Sequence, residues 1–199
     1  MKVKIWLKQK ENHIWALGLS VVLCAAIGIF FDYYYDLNDD VLIKDILAGV
    51  YTGTPEGRNI QMLFPLSFVI SLFYRVARGL PWYGIFLCLC HFGSIYLMTK
   101  RLLGFFEKRM GKVMALLLET AVILTLFLRE LVFTQYTVTC TLLAATAAFL
   151  FYTAKEEKTV KDFFLHNMPC ILLVTIAFQL RSEMVVLVLA LICVTGLCR

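Results

Sequence analysis

Apolar residues fall into long runs along the chain, at about 14–31, 60–74, 82–99, 113–128, 134–152, 168–180 and 184–198, with short polar stretches between them. A helix that crosses a bilayer needs about 20 mostly apolar residues to cover roughly 30 Å. The segment "MLFPLSFVISLFY", Met62 to Tyr74, is shorter than that, contains Pro65, and stops at Arg75 and Arg78. Were it to cross, the basic stretch "KRLLGFFEKRMGK" from Lys100 to Lys112 would face outward while the lysine-rich N-terminus faced inward, against the positive-inside rule. Placed instead in the outer interface as an amphipathic helix, it leaves 13 of the 19 Lys and Arg inside, with eight of the 14 acids outside and Glu119 within a span. The expected fold is an all-α, polytopic helical membrane protein. It has six transmembrane helices, at about 14–31, 82–99, 113–128, 134–152, 168–180 and 184–198, a cytoplasmic N-terminus and a long first outer loop over 32–81. Residues 1–199 then form a single integral membrane domain.

Composition agrees, at 61% hydrophobic and 17% charged residues, outside the range of soluble domains. The formal net charge of +5 is spread between the spans, where it reports topology and gives no reason to expect a nucleic-acid partner. Cys24, Cys88, Cys90, Cys140, Cys170, Cys193 and Cys198 lie in or beside apolar runs without paired loop spacing, and read as small buried hydrophobes. Cys88-x-Cys90 beside His91 is a weak metal signal. The start, "MKVKIWLKQKENH", looks like a signal sequence, yet its apolar run has no small-residue exit and reads as an uncleaved first span.

The chemistry collects on the outer side. Asp32, Asp36, Asp39, Asp40, Asp45, Glu56, Arg58, Arg75 and Arg78 belong to the first outer loop; Arg129, Glu130 and Gln135 to the second, "LRELVFTQYT"; Arg181 and Glu183 to the third, "QLRSEM". The last two connections are so short that their charges sit near membrane depth, where an unpaired charge is costly. Ion-paired interfacial caps are one explanation. The recurrence of an arginine with an acid in three separate connections is the argument for a site. Within the first loop, Asn38 with Asp39 and Asp40 reads as a helix N-terminus, followed by an apolar face of Val41, Leu42, Ile46, Leu47 and Val50. "TGTPEGRN" is a turn-rich loop without the spacing of a phosphate loop, and no HExxH, GxSxG or Walker pattern occurs.

A cytoplasmic N-terminus, a first span followed by the acidic pair of "LNDD", Leu37 to Asp40, and the segment "NIQMLFPLSFVISLFYRVARGLPWYG", Asn59 to Gly84, leading into the second span, resemble the amino-terminal half of the GT-C superfamily of membrane glycosyltransferases. The resemblance implies two membrane-parallel helices in the first outer loop. It also implies transfer of a sugar from a polyprenyl-phosphate donor to a glycan, lipid or protein acceptor on the extracytoplasmic face. It makes Asp39 and Asp40 the catalytic pair, as general base or as ligands of a divalent ion, Mg or Mn. Arg181 and Arg129, then Arg58 and Arg75, would bind the donor phosphate, with Glu183, Glu130 and Gln135 in support. Family members carry more spans than this chain, so a C-terminally truncated or fragmentary chain is expected, in a bacterial plasma membrane. Two other classes remain open. A transporter or flippase component would place charges within the spans, where Glu119 is the one acid. A non-catalytic assembly protein would tolerate neutralised outer acids.

Overall fold

The computed structural model describes residues 2–36, 38–154 and 159–197, and they are predominantly helical. Helix α1 runs over Lys2–Phe30 and stops where Asp32 and the three tyrosines begin. The 31–81 segment that follows holds a two-residue strand β1 (Tyr34–Tyr35) and two helices, α2 (Asn38–Ala48) and α3 (Phe64–Val76). Then come α4 (Trp82–Gly104), α5 (Arg109–Val122), a π-helical turn at Ile123–Phe127, α6 (Leu128–Val132), strand β2 (Phe133–Thr134), and helices α7 (Tyr136–Tyr152), α8 (Val160–Leu180) and α9 (Ser182–Leu197).

Among the described residues four stretches are long and apolar enough to cross a membrane: Lys10–Phe30, Trp82–Gly104, Arg109–Val132 and Val160–Leu180. The third passes through α5, the π turn and α6, so the widened turn bends one helix without ending it. Thr125 sits in that turn and donates its hydroxyl back to the Ala121 carbonyl at 2.7 Å. Helix α8 begins eight residues before the apolar run at 168. Thr159 caps it by accepting from the Asp162 N–H at 3.1 Å, so the polar "VKDFFLHN" is its opening two turns. Pro169 lies inside this helix and removes one backbone donor there.

Helices α3 and α7 are shorter, at 13 and 17 residues. For α3 the reason is in its ends. Pro65 occupies the first turn, where its missing N–H costs nothing, and the Leu63 N–H donates to the Gln179 carbonyl at 2.9 Å, tying the entry to the C-terminal end of α8. Ser67, Ile70, Ser71 and Tyr74 form the buried face of α3, while Phe64, Val69, Leu72, Phe73 and Val76 are exposed. Ser67 donates to the Gly57 carbonyl, which lashes the preceding loop to the helix. Helix α2 ends at Gly49, whose φ of +78° suits glycine, and a Cβ there would meet the Thr54 carbonyl carbon at 2.3 Å.

The core centres on α7, which packs against α4, α8 and α9. Its buried residues are mostly small, among them Thr139, Cys140, Ala144, Thr146 and Ala147, and this lets neighbouring backbones approach closely where lipid offers no hydrophobic drive between helices. The Cys140 thiol points at the Ala177 and Arg181 carbonyls, 3.4 Å from each. At one end of this bundle the connections are held together by a parallel pairing of β1 with β2, Tyr34 opposite Phe133 and Tyr35 opposite Thr134. The Thr134 hydroxyl donates to the Tyr34 carbonyl at 3.2 Å, and the Asp36 N–H to the Thr134 carbonyl at the same distance.

Candidate functional site

The acidic pair opens α2, where carboxylates suit the unpaired N–H groups of the first turn. Adjacent residues on a helix point in different directions. Asp39 accordingly faces solvent, whereas Asp40 is fully buried. Asp40 Oδ1 accepts two hydrogen bonds, from the Tyr83 hydroxyl at 2.8 Å and from the Tyr136 N–H at 3.0 Å. Oδ2 is buried with no partner among the described residues. Burial pushes the Asp40 carboxyl up to about 6; the bonds from Tyr83 and Tyr136 oppose this rise, and the nearby charges of Asp39 and Asp36 add to it.

Tyrosines surround this carboxyl. The ring of Tyr35 stacks on that of Tyr83 with centroids 5.7 Å apart, and the Tyr83 N–H donates to the Tyr74 hydroxyl at 3.0 Å. Asp40 thus joins the start of α2 to the first turns of α4 and α7. Tyr83 and Tyr136 were not among the residues the sequence nominated. Their signal was an aromatic directly at the start of an apolar run, which reads equally well as an interface anchor.

Arg181 reaches the same place from the α8–α9 connection. Its Nη1 donates to the Thr137 hydroxyl at 2.5 Å, and its guanidinium carbon lies 5.2 Å from the Tyr136 ring centroid, within cation–π range. Glu183 stands 3.7 Å from Arg181 Nε, and its own side chain is largely exposed. Tyr136 is therefore the shared element, with its backbone N–H on Asp40 and its ring on Arg181. Gln135 caps α7 through its backbone, the carbonyl accepting from the Thr139 N–H and hydroxyl at 2.9 and 2.8 Å.

The other nominated arginines lie elsewhere. Arg129 bridges Asp36 and Glu130, at 2.9 Å each, and packs 5.9 Å from the Phe133 ring centroid. Arg75 donates to the Pro55 carbonyl at 3.2 Å and lies over Phe68, so it holds the turn-rich loop to α3. Arg58 is exposed. Two clusters result, one of Asp40, Tyr136 and Arg181, with Asp39 exposed beside Asp40 in the first turn of α2, the other of Asp36, Arg129 and Glu130.

The acid pair does not converge on a common point, since Asp39 is exposed while one oxygen of Asp40 is committed to Tyr83 and Tyr136. Among the described residues no group of three or more His, Cys, Asp or Glu is placed to hold a metal ion. With their carboxylates on different sides of α2, Asp39 and Asp40 do not form a shared ligand set for a divalent ion. His91, beside Cys90, places its Nε2 2.8 Å from the Thr139 hydroxyl. Glu119 takes the Thr99 hydroxyl at 2.8 Å on one oxygen, while its other oxygen is buried without a partner among the described residues. No protein-family model matches the chain, and no curated protein or solved structure matches it either.

Proposed function

We propose that this chain is the amino-terminal part of a GT-C-type membrane glycosyltransferase, acting on the extracytoplasmic face of a bacterial plasma membrane with its N-terminus in the cytoplasm. In this reading α7 and α9 also cross, giving six spans, and α3 lies along the outer interface. The observation that carries it is the Asp40–Tyr136–Arg181 connection, in which the acid of the first outer loop and the arginine of the third meet on one residue. Asp39, the accessible acid, takes the proton of the acceptor hydroxyl as its oxygen bonds to the sugar C1. The C1–O bond to the donor phosphate breaks, its electron pair leaves on the phosphate oxygen, and the Arg181 guanidinium receives that charge. Asp40 is a positioning residue that fixes the first turn of α2 against Tyr83 and Tyr136. The Arg129 cluster, already paired with two carboxylates, is a weaker phosphate site than Arg181.

The test is transfer of labelled sugar from a polyprenyl-phosphate donor in inverted and right-side-out membrane vesicles containing the full-length protein. Asp39→Asn is expected to lower turnover by 10²-fold or more, the usual scale for a lost general base. Activity retained by both Asp39→Asn and Arg181→Ala would sink the proposal.

A further inference from the structure

A groove of about 700 Å³ runs between α1 and α4, its mouth sharing Tyr35 with the surroundings of Asp40. Leu17 and Val21 line it on α1, Leu89 and Phe92 on α4, and Tyr96 marks its far end. Its mouth is formed by Tyr33, Tyr34, Tyr35, Pro81 and Thr134. From Gly84 to Tyr96 the α4 wall alone extends about 18 Å at 1.5 Å per residue, which matches the depth of one hydrocarbon leaflet. Both walls belong to stretches long and apolar enough to cross a membrane, so the groove opens onto acyl chains. Gly93 lines it with nothing within 4 Å of the position its Cβ would take, and Leu89, also in its lining, is 68% exposed.

The rim carries charges of both signs. Asp32 accepts the Tyr34 hydroxyl at 3.0 Å on one oxygen and is otherwise exposed. Asp36 and Glu130 flank Arg129, whose side chain remains 64% exposed despite both contacts. A purely anionic headgroup would meet three carboxylates here, and a purely cationic one would meet the Arg129 guanidinium. A headgroup that carries an ammonium and a phosphate together complements both. The tyrosine rings at the mouth add faces on which an ammonium can rest.

We propose that the α1–α4 groove is a binding site for one zwitterionic phospholipid, with an acyl chain between the helices, its ammonium at Asp32 and its phosphate toward Arg129. This site is independent of the sugar-transfer reading, and the two stand or fall separately.

The test is native mass spectrometry of the full chain released from micelles doped with equal amounts of phosphatidylethanolamine and phosphatidylglycerol. One retained phosphatidylethanolamine is expected, favoured about fivefold over phosphatidylglycerol, the upper range for a single exposed ion pair. Gly93→Phe and Leu89→Trp, which fill the groove from two directions, should each release it. Asp32→Lys should move the preference to phosphatidylglycerol. Equal retention of the two lipids by the wild type, or no retained lipid at all, would overturn the proposal. So would retention unchanged in both groove-filling variants that still give monodisperse, helical protein.

Discussion

Replacing Asp40 by Asn keeps a carbonyl oxygen for the Tyr83 hydroxyl and the Tyr136 N–H and removes the ability to ionise. In the folded chain this carboxyl titrates at about 6, against an ordinary carboxylate value of about 3.9 when unfolded. Between those values the folded state keeps a proton that the unfolded state has released. Stability therefore falls as pH rises from about 4 to about 6, and the loss is complete above that. The gap corresponds to about 3 kcal/mol. Asn carries no such penalty, but its amide nitrogen takes the place of the unpartnered Oδ2, which costs about 1–3 kcal/mol at every pH. Asp40→Asn should thus melt below the wild type at pH 4.5 and approach or pass it at pH 7.5. Between pH 4.5 and 7.5 about 2 kcal/mol of that gap is traversed, and for a chain of this length each kcal/mol is worth about 2–4 °C, so the difference between the two proteins should swing by about 4–8 °C. Intrinsic tryptophan fluorescence during heating can read this, because Trp82 opens α4 and donates to the Ala77 carbonyl beside the site. A difference in melting temperature that stays within 2 °C from pH 4.5 to 7.5 would show that Asp40 is not a buried ionising group, and the positioning role derived for it would go with it.

Asp40→Ala strands both the Tyr83 hydroxyl and the Tyr136 N–H, and a loss of about 2–4 kcal/mol relative to Asn is expected in the same melts. Lys112 is buried against Glu11 at 2.9 Å. Glu11→Gln should therefore lower the melting temperature, and adding Lys112→Met should restore most of it, since removing both charges removes the stranded one. Gly49→Ala forces φ = +78° on a side chain that also meets the Thr54 backbone; a loss above about 2 kcal/mol should appear as earlier melting, and wild-type behaviour would contradict the turn geometry. On a cysteine-free background, Thr52→Cys should react with an impermeant thiol reagent added outside and Gly104→Cys should not. The reverse pattern would invert the proposed topology.

The helices were legible because apolar runs this long leave few alternatives, and α4 and the 109–132 stretch coincide with runs read at 82–99 and 113–128. The start of α8 was hidden: "VKDFFLHN" is polar enough to pass for a loop, and only the Thr159 cap makes it helical. At the site, an acidic pair was visible as composition, but which acid is buried depends on the rotation of α2 against α4 and α7. That rotation is set by contacts across 43 and 96 residues, beyond any local pattern. For the same reason nothing local in the sequence separates Arg181 from Arg129, while their partners are a tyrosine and threonine in one case and two carboxylates in the other; Arg75, ranked behind them, holds a loop carbonyl.

The strand pair of β1 with β2 has a consequence for synthesis. Tyr34 and Thr134 are joined across 100 residues, and the ribosome needs about 5–20 s to add that many. For that interval the 31–81 segment is without its clasp, and Asp40 has neither Tyr136 nor, at first, Tyr83. The nascent chain must wait with this carboxyl hydrated and ionised. The closing of the loop onto the bundle then takes up a proton where the pH lies between about 4 and 6, and it can begin only after the start of α7 has been made.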